Sequence, residues 1–99
     1  MAETGKMTTN FQRVREFHEV FEAAIGAEPT LLTPELNKLR LALIEEEFDE
    51  LKEAIYNNDL VEIADALGDM LYVIYGFGVT AGLPLDAIFS EIHESNMSK

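Results

Sequence analysis

Ninety-nine residues have room for one hydrophobic core, and 47% hydrophobic against 26% charged residues is enough apolar material to fold it, so one globular domain is expected here and not a disordered segment. Nineteen acidic against seven basic residues give a net charge of -12, so nucleic-acid backbones and anionic lipid headgroups are repelled. The absence of cysteine excludes disulfides and thiolate metal sites, and a small anionic ligand is admitted only where a bound cation or a few placed basic groups reverse the local field.

Residues 1–99 therefore read as one domain. The first ten are small and polar without an apolar period, which predicts a loose lead-in, and Met1 to Lys6 lacks the apolar run of a signal peptide. Val14, Phe17, Phe21 and Ile25 recur at helical spacing, so a first helix begins near Phe11, with Gly26 closing it as a C-cap. After a connection over 27–32, Thr33-Pro34-Glu35 combines a hydroxyl N-cap, a proline at the first helical position and an acid in the first turn. The second helix then runs to about Tyr56.

Asn57-Asn58-Asp59 is a short polar break able to cap the helices on both sides. A third helix spans Leu60 to Ala81 and stops at Gly82, and Leu83-Pro84-Leu85-Asp86 restarts a fourth that reaches about Ser95. The stretch from Leu60 to Leu83 is apolar enough to raise a membrane span, but Glu62, Asp65 and Asp69 inside it are costly in lipid. No strand period is sustained. The expectation is an all-α, cytoplasmic protein: a four-helix chain with a central antiparallel hairpin and no membrane or nucleic-acid partner.

The third helix carries the most informative pattern. At about 100° per residue, Glu62, Asp65 and Asp69 fall within an arc of roughly 60°, while Leu60, Ile63, Leu67, Met70, Leu71 and Ile74 cover much of the remaining circumference. On the second helix Leu36, Leu39, Leu43, Glu47, Glu50 and Ala54 share one stripe, so two acids occupy positions where packing prefers leucine. With a turn centred on Asn57 and Asn58, positions whose numbers add to about 115 lie opposite each other. Glu50 then faces Asp65, with Glu47 and Glu62 within a turn or so.

Four carboxylates meeting without a counterion repel and raise their own pKa values, whereas an oxygen-only cluster suits a hard cation such as magnesium. Taken alone, Glu-x-x-Glu on an acidic helix is an ordinary solvated surface. The same motif mirrored by Glu-x-x-Asp on an otherwise apolar helix is harder to assign to solvent.

At these residues the chain resembles the MazG-like branch of the all-α NTP pyrophosphatases, whose signature is Glu-x-x-Glu followed by Glu-x-x-Asp. The matching stretches are Glu46 to Leu51 and Glu62 to Asp69, and the likeness continues through Leu71 to Gly76, Ala81 to Leu83 and Glu91 to Lys99. The resemblance implies magnesium-dependent hydrolysis of a nucleoside triphosphate, a deoxynucleotide by expectation, to the monophosphate and pyrophosphate, with manganese able to substitute. Carried over by position, Glu47, Glu50, Glu62 and Asp65 would be the metal ligands, with Glu47 or Glu50 as the base that activates water. It also implies a role in clearing unwanted triphosphates from the nucleotide pool.

Asn96 and Lys99 match the family's Asn-x-x-Lys and would contact phosphate, and Asp69 would orient Lys99 or a metal-bound water, or simply cap the acidic strip. Phe17, His18, Phe21 and Tyr72 are candidates to line a base pocket, although core packing is the favoured reading for the phenylalanines, and His18 and His93 read as satisfied or exposed histidines and not as ligands. A di-iron site is not expected, because the chain has no Glu-x-x-His. The apolar circumference of the third helix predicts a homodimer or homotetramer with sites lined by both chains. Two other readings remain open: a phosphoribosyl-ATP pyrophosphohydrolase with a similar acidic site, and a non-catalytic helical dimerisation module.

Overall fold

The computed structural model describes residues 8–99, and these form four helices and no strand: α1 (Asn10–Val20), α2 (Pro34–Tyr56), α3 (Leu60–Ala81) and α4 (Leu85–Met97). The expected lead-in falls largely outside the described residues, but its last members are structured. Thr9 Oγ1 accepts from the backbone N–H of Gln12 at 3.1 Å while Gln12 Oε1 accepts from Thr9 N–H at 2.9 Å, a reciprocal capping box. The same hydroxyl lies 2.8 Å from Asp86 Oδ2 and donates to it, tying the start of α1 to the first turn of α4.

α1 ends at Val20, earlier than its apolar spacing predicts. Glu22 takes a left-handed conformation (φ 59°), and Ala23 N–H donates to His18 O at 2.9 Å, so Glu22 fills the terminating position expected of Gly26. Gly26 serves a different purpose. Its N–H donates to Val79 O at 2.9 Å, and a Cβ there would stand 2.6 Å from Gly82 N and 2.8 Å from Thr80 O. Only glycine permits that approach of two backbones. Thr30 N–H donates to Ala81 O at 2.9 Å and Thr80 Oγ1 donates to Ala24 O at 3.0 Å, so the connection is laced onto the end of α3 and satisfies carbonyls that a helix terminus leaves free.

The central hairpin follows the expected boundaries. Thr33 Oγ1 accepts from Leu36 N–H at 3.2 Å to cap α2. At the turn, Asn58 is left-handed (φ 55°), Asp59 N–H donates to Ala54 O at 3.0 Å, and Asp59 Oδ1 accepts from Glu62 N–H at 3.1 Å to cap α3. Ala54 and Ala66 are both buried, and such small side chains let the two helix backbones lie close together. α3 closes on Gly82 (φ 69°), with Leu83 N–H donating to Gly78 O at 2.8 Å and Gly82 N–H to Val79 O at 3.2 Å, a Schellman motif.

α4 turns away from α3 at 116° and buries none of its own residues, extending to Met97 instead of stopping near Ser95. No single helix among the described residues is long and apolar enough to cross a membrane. The buried apolar residues among those described are Val14, Ala54, Ala66, Val79 and Ala81, while Leu60 (78% exposed), Val61 (76%) and Phe89 (69%) face outward. That is a small core for so apolar a chain.

The two kinds of glycine make opposite predictions. Gly26→Ala drives a methyl into backbone and should lower unfolding free energy by about 2 kcal/mol or more in urea titration. In Gly68→Ala the added Cβ meets nothing within 4 Å, and helix propensity should raise stability by up to about 1 kcal/mol. Equal effects from the two would contradict the close-approach role of Gly26.

Candidate functional site

The tight turn and the two buried alanines fix how α2 and α3 face each other. Glu47 lies in the field of Asp69, and the Arg40 guanidinium lies over Gly76, so facing positions have numbers that add to about 116, one more than the turn alone suggests. The register aligns the acidic stripe of α2 with that of α3 along one interhelical groove.

Glu47 is the central member. Its side chain as a whole is half-buried, yet Oε1 is sealed from solvent with no hydrogen-bond partner among the described residues. Its pKa lies above the ordinary carboxylate value, chiefly because burial penalises the charged form; the negative charges of Glu50, Asp69 and Glu46 add to the rise. One turn on, Glu50 and Glu62 line a shared cleft of about 370 Å³ together with Glu53, Asn57 and Asp59. Asp65 is exposed on the same strip of α3, three residues from Glu62 and four from Asp69.

Among the described residues no three acidic or histidine side chains stand together as a group that could hold a metal ion. The four expected ligands thus occupy facing stripes, with Glu47 in the field of Glu50 and Asp69 and with Glu50 and Glu62 sharing a cleft, and do not form a closed cage as their side chains stand. The donor chemistry nevertheless fits a hard divalent cation: every candidate ligand offers carboxylate oxygen, and a sealed carboxylate oxygen without a proton donor is satisfied by a cation.

Of the aromatic candidates, Phe17 and His18 lie within α1, Phe21 at its C-cap and Tyr72 on α3. In the single chain Phe17 is 44% and Phe21 67% exposed, with ring centroids 4.5 Å apart, and Tyr72 meets Phe17 edge-on at 5.8 Å. Phe21 sits at the cap, outside the helical stripe that buries Val14, so it cannot follow Val14 inward. The three rings form an exposed aromatic patch on the α1–α3 side. His18 leaves the base-pocket set, because it is buried and its Nδ1 is 3.0 Å from Ala24 O; it reads as a satisfied core histidine. His93 is exposed.

Lys99 Nζ donates to Asn96 Oδ1 at 2.9 Å at the exposed end of α4. Among the described residues no hydrogen bond or ion pair joins either of them to the acidic stripes. Two features escaped the sequence pattern. One is a cleft of about 300 Å³ between α1 and α3, lined by Asn10, Arg13, Gly68, Leu71, Tyr72 and Tyr75, which depends on a helix crossing that periodicity does not encode. The other is Arg40. It lies seven residues before Glu47 on the same stripe of α2, a spacing that could have marked it.

Comparison with known proteins adds to this geometry. The family model for phosphoribosyl-ATP pyrophosphohydrolase matches residues 14–96, which takes in the hairpin and both acidic motifs. An uncharacterized protein of Acanthamoeba polyphaga mimivirus is 45% identical over 90 residues, covering 83% of this chain. The chain spans about a third of that relative's length, the match covering 34% of it. The chain belongs to the phosphoribosyl-ATP pyrophosphohydrolase family, a member of the MazG-like all-α NTP pyrophosphohydrolase superfamily.

Proposed function

We propose that this chain is a magnesium-dependent nucleotide pyrophosphohydrolase that cuts a nucleoside triphosphate between its α- and β-phosphates. The observation that carries the reading is Glu47: a carboxylate with a sealed, unpartnered oxygen, lying in the field of Glu50 and, across the hairpin, of Asp69. A cluster of that kind is destabilising on its own and becomes favourable once a cation occupies it.

Glu47, Glu50, Glu62 and Asp65 would hold the magnesium. When bound, the ion supplies positive charge against the phosphate oxygens and makes nearby water more acidic. Glu47 or Glu50 takes the proton of the attacking water, whose oxygen forms the new bond to the α-phosphorus as the bond to the bridging oxygen breaks and pyrophosphate leaves. Tyr72 and Phe17 offer exposed ring faces to a nucleobase. Asn96 and Lys99 carry an amide and an ammonium suited to phosphate oxygens.

The substrate assigned is a nucleoside triphosphate, a deoxynucleotide first. The second reading, phosphoribosyl-ATP, is favoured by the family model that matches residues 14–96. Both break the same kind of bond and make the same demand on the acids. A small core beside exposed Leu60, Val61 and Phe89 favours a dimer or dimer of dimers, in which a second copy covers the apolar faces.

Pyrophosphate release should be measured across the common nucleotides and phosphoribosyl-ATP, with magnesium present or chelated. We expect release that needs magnesium, and a loss of kcat on the order of 100-fold in Glu50→Gln and Asp65→Asn. No release from any substrate would remove the enzyme reading and favour a non-catalytic helical module; undiminished activity in both variants would remove the site. Light scattering should give a mass of at least twice the 11.1 kDa chain, and a stable monomer would contradict the covered apolar faces.

A further inference from the structure

Among the described residues, Arg40 is a cation on the same stripe of α2 as Glu47, two turns before it, where α2 meets α3 at Gly76. Its Nε is sealed from solvent and has no hydrogen-bond partner among the described residues, and the ion pairs found there, Arg15 with Glu19 and Lys52 with Asp49, do not include it. The guanidinium lies in a notch left by Gly76: a Cβ at that glycine would collide with Nη2 and stand 3.2 Å from Cζ. His18 Nε2 would be 3.3 Å from the same point, so an imidazole backs the notch while its Nδ1 is engaged by Ala24 O at 3.0 Å. Burial also holds the Arg40 pKa below its ordinary value.

Arg40 is half-buried, and a guanidinium whose Nε is shut off from water without a partner is costly, while the nearest acid on its own stripe of α2 is two turns away. Seven residues on a helix place Glu47 about 10.5 Å along the axis from Arg40. A polyphosphate lying along the groove spans from a cation held by the acids toward a guanidinium at the other end, and a planar guanidinium is suited to phosphate oxygens.

We propose that Arg40, seated in the Gly76 notch and backed by His18, is the second anion contact of the groove, receiving the terminal phosphates of the substrate and then the leaving pyrophosphate. This rests on the pyrophosphohydrolase reading of the same groove. Arg40 supplies the counter-charge at the end of the phosphate chain that the metal does not reach. Gly76 is glycine so that the guanidinium can occupy this position.

The test is titration of magnesium pyrophosphate into the ¹⁵N-labelled protein, following the Nε–H resonance of Arg40 assigned through its side-chain correlations. A saturable shift of that signal is expected. In parallel, Arg40→Met and Gly76→Ala should each weaken pyrophosphate binding and raise KM by about tenfold or more, with Arg40→Lys recovering part of the loss. An Arg40 signal that stays put while pyrophosphate saturates the protein would overturn the proposal, as would unchanged binding in folded Arg40→Met. Failure of the two readings is distinguishable. Pyrophosphate binding that moves Arg40 without hydrolysis of any nucleotide removes the enzyme and keeps the anion contact, whereas hydrolysis with kcat/KM unchanged in Arg40→Met does the reverse.

Discussion

Repulsion between carboxylates held across a tight helical hairpin is the constraint that organises this molecule. Asp59 caps α3 at the turn, and Ala54 and Ala66 let the two helices approach closely, so their acidic stripes cannot drift apart without breaking the hairpin itself. Glu47 bears the consequence, with an oxygen shut off from water and a pKa displaced upward by burial and by its acidic neighbours. A surface helix avoids this by turning its acids outward. Here they are retained where packing prefers leucine, which is the pattern of a site that gives up stability for function.

The groove is polarised along its length. Glu50 and Glu62 line one cleft near the turn, Glu47 and Asp69 face each other in the middle, and Arg40 lies over Gly76 toward the start of α2. A net charge of -12 makes the cation at this position more consequential for an anion. The connection between α1 and α2 supports this end of the hairpin: Gly26 and Thr30 donate to the last carbonyls of α3, and Ala24 O accepts from Thr80 while lying against His18.

Much of this was legible in the residues, for physical reasons that differ by element. Thr33-Pro34, Asn57 to Asp59 and Gly82 are strong local signals, and the helices they bound follow them closely. The acidic stripes were legible because both motifs lie within single helices joined by a short turn, so register follows from counting. The end of α1 was not, because Glu22 adopts a left-handed conformation that glycine normally takes, and the glycine at position 26 is required by α3, far away in sequence. The exposure of Phe21, which sits at the cap, goes with that early end. Arg40 was overlooked because its meaning depends on Gly76 and His18, which only the packed helices bring beside it.

The central claim is that the facing acids are stabilised by a shared cation, and thermal melting against pH, with magnesium or an ionic-strength-matched sodium control, tests it most directly. Glu47 has a folded-state pKa raised above its unfolded value, so the stability it contributes is present below the ordinary glutamate range and is lost as pH rises through the raised value. The metal-free chain should therefore lose melting temperature as pH rises through that window, magnesium should restore it beyond the sodium control, and Glu47→Gln should flatten both responses. A melting temperature that responds to magnesium no more than to sodium at any pH would contradict the account.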